Sequence, residues 1–190
     1  MQQILDNVIE ELRVSEFRPI DYEVDFSRGG DLPPVTCEQD GVTVSLAGKV
    51  DRVDGYIRDG RLYLRVVDYK TGSVKDSDIQ IDDENACEVA DAAFGEDNDK
   101  RPKIAIQLYL YDVLIRKAHK TEAIENVIYQ TTSLFSEGIK SAPMNETFVK
   151  EMGTRLEECL KGLLDIDKPW TKTAHAKTCS YCDFKDICGR

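Results

Sequence analysis

Two aspartates and one lysine in the first half of the chain have the residue types and the spacing that metal-assisted hydrolysis requires. Asp51 lies in the run GKVDRVD, and Asp68 and Lys70 lie in the run VVDYKTG. Carboxylate oxygens are preferred ligands of hard divalent cations, and such a cation polarises a phosphoryl oxygen and activates water. A nearby ammonium group stabilises negative charge that develops during the reaction. The three side chains therefore predict a hydrolytic site, provided that the fold brings them together.

The apolar pattern around these residues predicts a β-hairpin. Two sets of alternating apolar residues precede the two aspartates: Val42, Val44 and Leu46, and then Leu62, Leu64 and Val66. Such alternation is typical of strands that bury one face. Asp59-Gly60 is a preferred pair for a two-residue hairpin loop, because both loop positions need positive φ.

The register of that hairpin would place the two carboxylates side by side. With Asp59-Gly60 as the loop, the numbers of facing residues sum to 119, so Asp51 faces Asp68. Lys70 lies two residues further along, on the face of Asp68. The same register pairs Asp54 with Arg65, which predicts a structural ion pair. Two facing carboxylates repel each other unless a cation lies between them.

The residues of the two runs resemble the sequence motifs of the PD-(D/E)XK nuclease superfamily. Asp51 matches the metal-binding Asp of its second motif, and Asp68-Tyr69-Lys70 matches the D-x-K that follows. The resemblance is to the RecB/AddB branch, the nuclease domains of bacterial helicase–nucleases that repair double-strand breaks. It implies that Asp51, Asp68 and the Tyr69 carbonyl hold the metal and that Lys70 orients the water or stabilises charge. The alternative is an ordinary hairpin with a surface carboxylate pair.

A helical pattern after Pro102 adds two further candidate residues. Its apolar stripe consists of Ile104, Leu108, Tyr111 and Ile115. Gln107 and Tyr111 are four residues apart and therefore project from one face. Their spacing resembles the Q-x-x-x-Y motif of the RecB-like branch, which implies that both side chains position the nucleic acid. An amide and a phenol can donate to phosphate oxygens without adding charge. Packing within a buried helix is the alternative.

The strand predicted ahead of the hairpin carries a candidate third carboxylate. Tyr22, Val24 and Phe26 alternate with Glu23 and Asp25. This setting resembles the E-x-x-F-like strand of the family and implies Glu23 as a further metal ligand. Alternation alone equally predicts that Glu23 faces solvent.

Three cysteines at the end of the chain, Cys179, Cys182 and Cys188, form the pattern C-x2-C-x5-C. Cysteines at such spacing can reach one metal centre. AddB-type nucleases carry this pattern together with a distant upstream cysteine, and the resemblance implies a [4Fe–4S] cluster in the full-length protein. A structural Zn²⁺ that also uses His175 is an alternative. A second alternative is that the three cysteines of the present chain bind no metal.

Composition limits the partners and the cellular compartment. The 190-residue chain has a net charge of −11, but residues 76–99 contain ten Asp or Glu and no Lys or Arg. The remainder is nearly neutral, so the charge balance allows a DNA partner although phosphate binding needs Lys and Arg. We expect the acidic stretch to be a solvated insert. Six cysteines without a signal peptide or membrane-spanning apolar run predict a cytoplasmic protein without a membrane partner.

The order of elements predicts one α/β domain over residues 1–190, with a restriction-endonuclease-like core. This core is a central mixed sheet of four or five strands flanked by helices, with the acidic insert at 76–99 and a Cys-rich tail at 171–190. The resemblance implies Mg²⁺- or Mn²⁺-dependent DNA hydrolysis of the exonuclease type. The enzyme would act in double-strand-break repair with a fused helicase or a helicase partner subunit.

Two departures from the family pattern lie towards the N-terminus. Relatives have a further metal ligand, usually His, before the first strand, whereas residues 1–20 contain no His. The upstream cluster cysteine also has no evident counterpart. We therefore expect a C-terminal piece of a longer protein, weakly active or inactive by itself. The alternative function is a nuclease-fold scaffold that binds DNA or supports assembly without cleavage.

Overall fold

A mixed β-sheet forms the centre of the computed structural model, which describes residues 2–39, 41–95, 101–132, 138–169, 171–173, 175 and 179–189. The strands are β1 Arg18–Phe26, β2 Val35–Gln39, β3 Val42–Leu46, β4 Gly48–Arg58, β5 Arg61–Lys70, β6 Ala123–Gln130 and β7 Lys140–Ser141. The helices are α1 Gln2–Val14, α2 Ala86–Phe94, α3 Lys103–Ala118 and α4 Glu146–Leu164. Five strands in the order β1-β4-β5-β6-β7 form the main sheet. Only β5 and β6 among its paired strands run parallel. This α/β architecture confirms the predicted fold class.

The β4–β5 hairpin has the predicted loop and register. Asp59 and Gly60 have φ values of 52° and 72°, the left-handed region that a two-residue loop of this kind requires. Facing pairs run from Arg58–Arg61 to Arg52–Val67, all in the expected register. The local turn chemistry therefore determines which side chains of the two strands meet.

The residues before β4 correct one prediction. Val42–Leu46 does not lead into the central hairpin but forms β3, which pairs with β2 in a separate two-stranded sheet. The reason is strand length: β5 ends at Lys70, whose facing position in the register is Lys49, so residues before β4 have no partner on β5. The two prolines in residues 31–40 predict a loop there, so strand β2 is not expected from the sequence.

Helix α3 covers one face of the main sheet. Its buried residues Leu108, Leu114 and Ile115 pack in a core with apolar residues of four strands, namely Val24, Phe26, Val50, Val53, Leu64, Val66 and Ile128. A second core joins α2 and α4 and contains Ala86, Ala90, Phe148 and Met152. Because α2 lies within residues 76–99, part of the acidic stretch is packed into the fold rather than solvated.

The side chain of Asn145 caps α4 by accepting a hydrogen bond from Phe148 N at 2.7 Å, as its residue type favours.

Four charged side chains are buried on the opposite face of the sheet. Asp54 accepts hydrogen bonds from Arg52 Nε at 2.6 Å and from Arg65 Nη2 at 2.6 Å, so the predicted Asp54–Arg65 ion pair is confirmed. Arg65 also contacts the carboxylate of Glu11 from α1. Two positive and two negative groups balance each other, as burial of charge requires.

No helix among the described residues combines the length and the apolar character that crossing a membrane would need.

Candidate active site

Asp68 and Lys70 lie together at the C-terminal end of β5. Asp68 is 1% exposed, and the Lys70 ammonium nitrogen lies 2.7 Å from its Oδ2 atom. Both carboxylate oxygens are buried, and neither accepts a hydrogen bond of regular geometry from any residue that the structure describes. Burial raises the pKa of the Asp68 carboxyl, the contact with Lys70 lowers it, and the charge of Asp51 raises it further. Asp68 is thus an incompletely stabilised anion.

Asp51 lies where the regular pairing of β4 with β5 ends. The last facing pair is Arg52–Val67, one pair before the predicted Asp51–Asp68 pair. The Asp51 carboxylate instead accepts a hydrogen bond from Tyr69 N at 3.0 Å. The strand also changes its facing here, because Val50 and Val53 belong to the same core although a regular strand would place them on opposite faces. The carboxylate therefore lies along the gap between the two strands.

The backbone carbonyl of Tyr69 is directed to the same gap. Lys70 O accepts a hydrogen bond from Thr131 N at 2.9 Å on the β6 side. Neighbouring residues of a strand direct their backbone groups to opposite sides, so Tyr69 directs its N–H and C=O towards β4. The N–H binds Asp51. The predicted carbonyl ligand and the Asp51 carboxylate thus share one edge of β5.

Glu23 lies across β4 from this gap. It falls between the facing pairs Tyr22–Arg52 and Val24–Val50, and its φ of 52° is uncommon for a residue with a side chain. Its carboxylate is 66% exposed and lies 3.5 Å from the Lys49 ammonium. The structure therefore brings Glu23 to the neighbourhood of Asp51 but pairs it with a lysine.

Gln107 and Tyr111 extend the cluster from α3. Gln107 Oε1 accepts a hydrogen bond from Lys70 Nζ at 2.6 Å, and Gln107 Nε2 donates to the Tyr111 hydroxyl at 2.6 Å. Burial raises the pKa of Tyr111 to about 12; the hydrogen bond from Gln107 lowers it, and the charges of Asp51, Asp68 and Glu23 raise it. The five residues predicted from sequence, three on the sheet and two on α3, form one continuous group.

The donors of this group have the chemistry of a site that holds a divalent cation through two carboxylates. Among the described residues, no three His, Cys, Asp or Glu side chains are close enough to hold a metal ion together. Mg²⁺, however, keeps several waters and commonly binds through one or two carboxylates. The buried, unpartnered Oδ1 atom of Asp68 is the atom that such a cation would satisfy. The donor set is therefore suitable for Mg²⁺ or Mn²⁺.

The described residues of the cysteine tail contain no group of three potential metal ligands. Cys179, Cys182 and Cys188 are free thiols, and Cys182 is exposed. Within the described ranges, neither these cysteines nor His175 take part in a group of three ligands. Residues 176–178 lie outside the described part of the chain. The described residues therefore do not support the [4Fe–4S] cluster predicted for the full-length protein or the alternative Zn²⁺ site.

Arg52 is a residue near the site for which the motifs in the sequence predict no role. Its Nη1 atom donates to the Tyr69 hydroxyl at 3.3 Å, and its guanidinium lies 5.5 Å from the centre of the Tyr129 ring. Arg52, which follows Asp51, is therefore linked to Tyr69, which follows Asp68. The run DRVD carries a signal for the Arg52–Asp54 pair only, because these residues alternate with apolar Val53 and share a face; the contact with Tyr69 has no signal in the spacing.

Comparison with known proteins gives the same family. A family model described as the PD-(D/E)XK nuclease superfamily matches residues 1–189. An ATP-dependent helicase/deoxyribonuclease subunit of Clostridium acetobutylicum is 45% identical over 67 residues, which are 35% of this chain and 6% of that protein. The protein of the same name from Ruminiclostridium cellulolyticum is 46% identical over 66 residues, 34% of this chain and 6% of its own length. The matched segment is therefore a small part of these relatives.

Proposed function

Because the chain belongs to the PD-(D/E)XK nuclease superfamily, we propose that it is a metal-dependent deoxyribonuclease that hydrolyses phosphodiester bonds. The observation that carries this proposal is the state of Asp68, which is buried with neither oxygen in a hydrogen bond to a described residue and with Oδ2 beside the Lys70 ammonium. Asp51, Asp68 and the Tyr69 carbonyl would hold Mg²⁺ or Mn²⁺, which polarises the phosphoryl oxygen and lowers the pKa of water. Glu23 would join them only by leaving Lys49.

The side chains of the group have separate tasks in this proposal. Lys70 stabilises negative charge on the phosphoryl oxygens, or orients the attacking water, from its position beside Asp68. The hydrogen bond from Tyr69 N keeps the Asp51 carboxylate in the gap between the strands. Tyr111 remains protonated at neutral pH because its pKa is about 12, so it can donate to a phosphate oxygen. The Gln107–Tyr111 pair on α3 contributes to positioning the strand.

The names of the relatives suggest the biological setting. Both relatives are named as a subunit of an ATP-dependent helicase/deoxyribonuclease. We therefore propose that the chain acts on DNA as an exonuclease-type domain in double-strand-break repair, with a helicase as fused domain or partner subunit. This role would place it in the cytoplasm. The helicase activity would reside outside the residues that match.

A second candidate function is a DNA-binding or assembly scaffold with the nuclease fold. The observation that favours it is the lack, among the residues with described positions, of a third metal-ligating side chain beside Asp51 and Asp68. A metal held by two carboxylates and waters binds more weakly than one in a complete cage. The chain alone could then bind DNA without cutting it.

Cleavage of a fluorescent single-stranded oligonucleotide separates the two candidates. We expect cleavage with Mg²⁺ or Mn²⁺, none with EDTA, and a loss of about 10²-fold or more in Asp68→Ala. Asp167→Ala, which removes an exposed carboxylate, should cleave like the unchanged chain. Cleavage that is independent of Asp68 would overturn the nuclease proposal, and metal-independent DNA binding without cleavage would favour the scaffold.

A further inference from the structure

The ammonium group of Lys70 is held by two acceptors of different charge. Asp68 Oδ2 lies 2.7 Å from Lys70 Nζ, and Gln107 Oε1 lies 2.6 Å from it. A lysine ammonium has three N–H donors; the contact with Gln107 is a hydrogen bond and the contact with Asp68 is an ion pair, so a donor is left for a further acceptor. With its side chain 23% exposed, Lys70 is neither freely solvated nor sealed from a ligand.

The Gln107 amide makes contacts at both of its polar ends. Its oxygen accepts from Lys70, and its nitrogen donates to the Tyr111 hydroxyl. Because the hydroxyl oxygen accepts this bond, the phenolic proton of Tyr111 remains for another acceptor. The Gln107 amide keeps a second N–H, but both of its polar ends are engaged inside the group, whereas the Tyr111 hydroxyl donates to no other residue that the structure describes.

A neutral acceptor suits the task of fixing Lys70. A lysine side chain has four rotatable carbon–carbon bonds, and fixing it costs conformational entropy. A carboxylate at position 107 would fix the ammonium but would cancel part of the positive charge that a phosphoryl group needs. The amide of Gln107 directs the ammonium without adding charge. It projects from α3, whose flanking residue Leu108 is fully buried in the core, so the acceptor lies on a rigid element.

We propose that Gln107 is a positioning residue for Lys70, and that Tyr111 rather than Gln107 donates a hydrogen bond to the substrate phosphate. The assignment of a phosphate substrate rests on the proposed nuclease function; the coupling of Gln107 to Lys70 does not. It revises the sequence prediction, in which both residues of the Q-x-x-x-Y pair position the strand.

Nuclear magnetic resonance of the lysine ammonium groups tests the coupling without any activity. In the ¹⁵N-labelled chain, the Lys70 signal is identified by its loss in Lys70→Met. Hydrogen exchange of this ammonium group should accelerate about fivefold in Gln107→Met, since one hydrogen bond is lost. Gln107→Glu, which retains an acceptor oxygen, should keep exchange slow, and Tyr111→Phe should change it by less than about twofold. Backbone amide spectra verify that each variant is folded.

Single-turnover cleavage then separates the roles of the two residues. Gln107→Met should lower the cleavage rate at saturating DNA about tenfold, while the affinity for single strands stays unchanged. Tyr111→Phe should weaken that affinity. In a Lys70→Met background, Gln107→Met should cause no further loss of rate, because the two residues act as one unit.

Two results would overturn the inference. Unchanged exchange of the Lys70 ammonium in Gln107→Met would show that the amide does not hold it. Equal losses of DNA affinity in Gln107→Met and Tyr111→Phe, with unchanged rates at saturation, would return both residues to strand positioning. A chain that neither binds Mn²⁺ nor cleaves DNA would refute the proposed function, and the exchange measurement would still decide the role of Gln107.

Discussion

At the scale of single residues, Asp68 and Asp54 show how differently two buried carboxylates can be placed. Both are almost fully buried. Asp54 accepts hydrogen bonds from two arginines, whereas Asp68 has one lysine and the repulsion of Asp51. A functional group held in such an unfavourable environment commonly costs stability. The same substitution should therefore have opposite effects at the two positions.

Asp68→Asn should raise the free energy of unfolding in metal-free buffer by about 1 kcal/mol. The amide removes a buried charge that burial and Asp51 both disfavour, and it keeps the shape of the side chain. Urea unfolding monitored by circular dichroism gives the comparison, with EDTA present. A clear loss of stability in Asp68→Asn would mean that Lys70 fully stabilises the charge.

Tyr111 should ionise about two pH units above an ordinary tyrosine. Its pKa is about 12 against the ordinary value of 10.0, chiefly because of burial. Between these pH values the unfolded chain loses the proton first, so this group makes stability fall as the pH rises from 10 to 12. Phenolate absorbance of the chain minus that of Tyr111→Phe measures the ionisation. A difference spectrum that titrates near pH 10 would contradict the buried environment of this hydroxyl.

At the scale of elements, the buried charges behind the sheet hold α1, β4 and β5 together. Asp54→Asn leaves Arg52 and Arg65 with Glu11 as the remaining carboxylate of the group. We expect a loss of about 3 kcal/mol or more in the free energy of unfolding, since an uncompensated charge stays buried. Arg61→Ala breaks an exposed ion pair with Glu122 and is the control, with an expected loss below about 1 kcal/mol. Similar losses in both variants would argue against the buried network.

The hairpin loop provides a test of backbone conformation alone. A Cβ atom at Gly60 would meet no other atom within 4 Å, so Gly60→Ala introduces no clash. Its φ of 72° nevertheless disfavours a side chain, and we expect a loss of about 1 kcal/mol. Thermal unfolding measures this loss. Gly72→Ala is the matched control, because the space around Gly72 is also open and its φ is not left-handed. Equal losses of stability in Gly60→Ala and Gly72→Ala would contradict the claim that the positive φ of Gly60 causes the loss.

The elements also show which parts of the site a sequence can predict. The Asp59-Gly60 loop sets the register locally, and the i, i+4 spacing of Gln107 and Tyr111 is a property of any helix, so both were predictable. The end of the β4–β5 ladder at Arg52–Val67 and the positive φ of Glu23 depend on how β5 diverges from β4 while β1 stays paired with β4. Such divergence follows from tertiary packing and leaves no mark in residue spacing.

At the scale of the whole molecule, the distribution of charge is compatible with a nucleic-acid partner. The ten acidic residues of 76–99 account for nearly all of the net charge of −11. Within this stretch α2 packs against α4, and Asp91 pairs with Arg155 at 2.6 Å. Part of the acidic stretch is thus held against the fold by its own helix. Asp51 and Asp68 lie outside this stretch, on the inner strands β4 and β5 of the main sheet.

The central claim is that Asp51 and Asp68 form a divalent-cation site, and calorimetric titration of Mn²⁺ into the chain tests it most directly. We expect binding to the unchanged chain and to Asp167→Ala, and none to Asp68→Ala. At a hundredfold excess over the dissociation constant, the metal should also stabilise the fold by about 2.7 kcal/mol. Equal binding to Asp68→Ala, or no binding to the unchanged chain, would contradict a cation site formed by these two carboxylates.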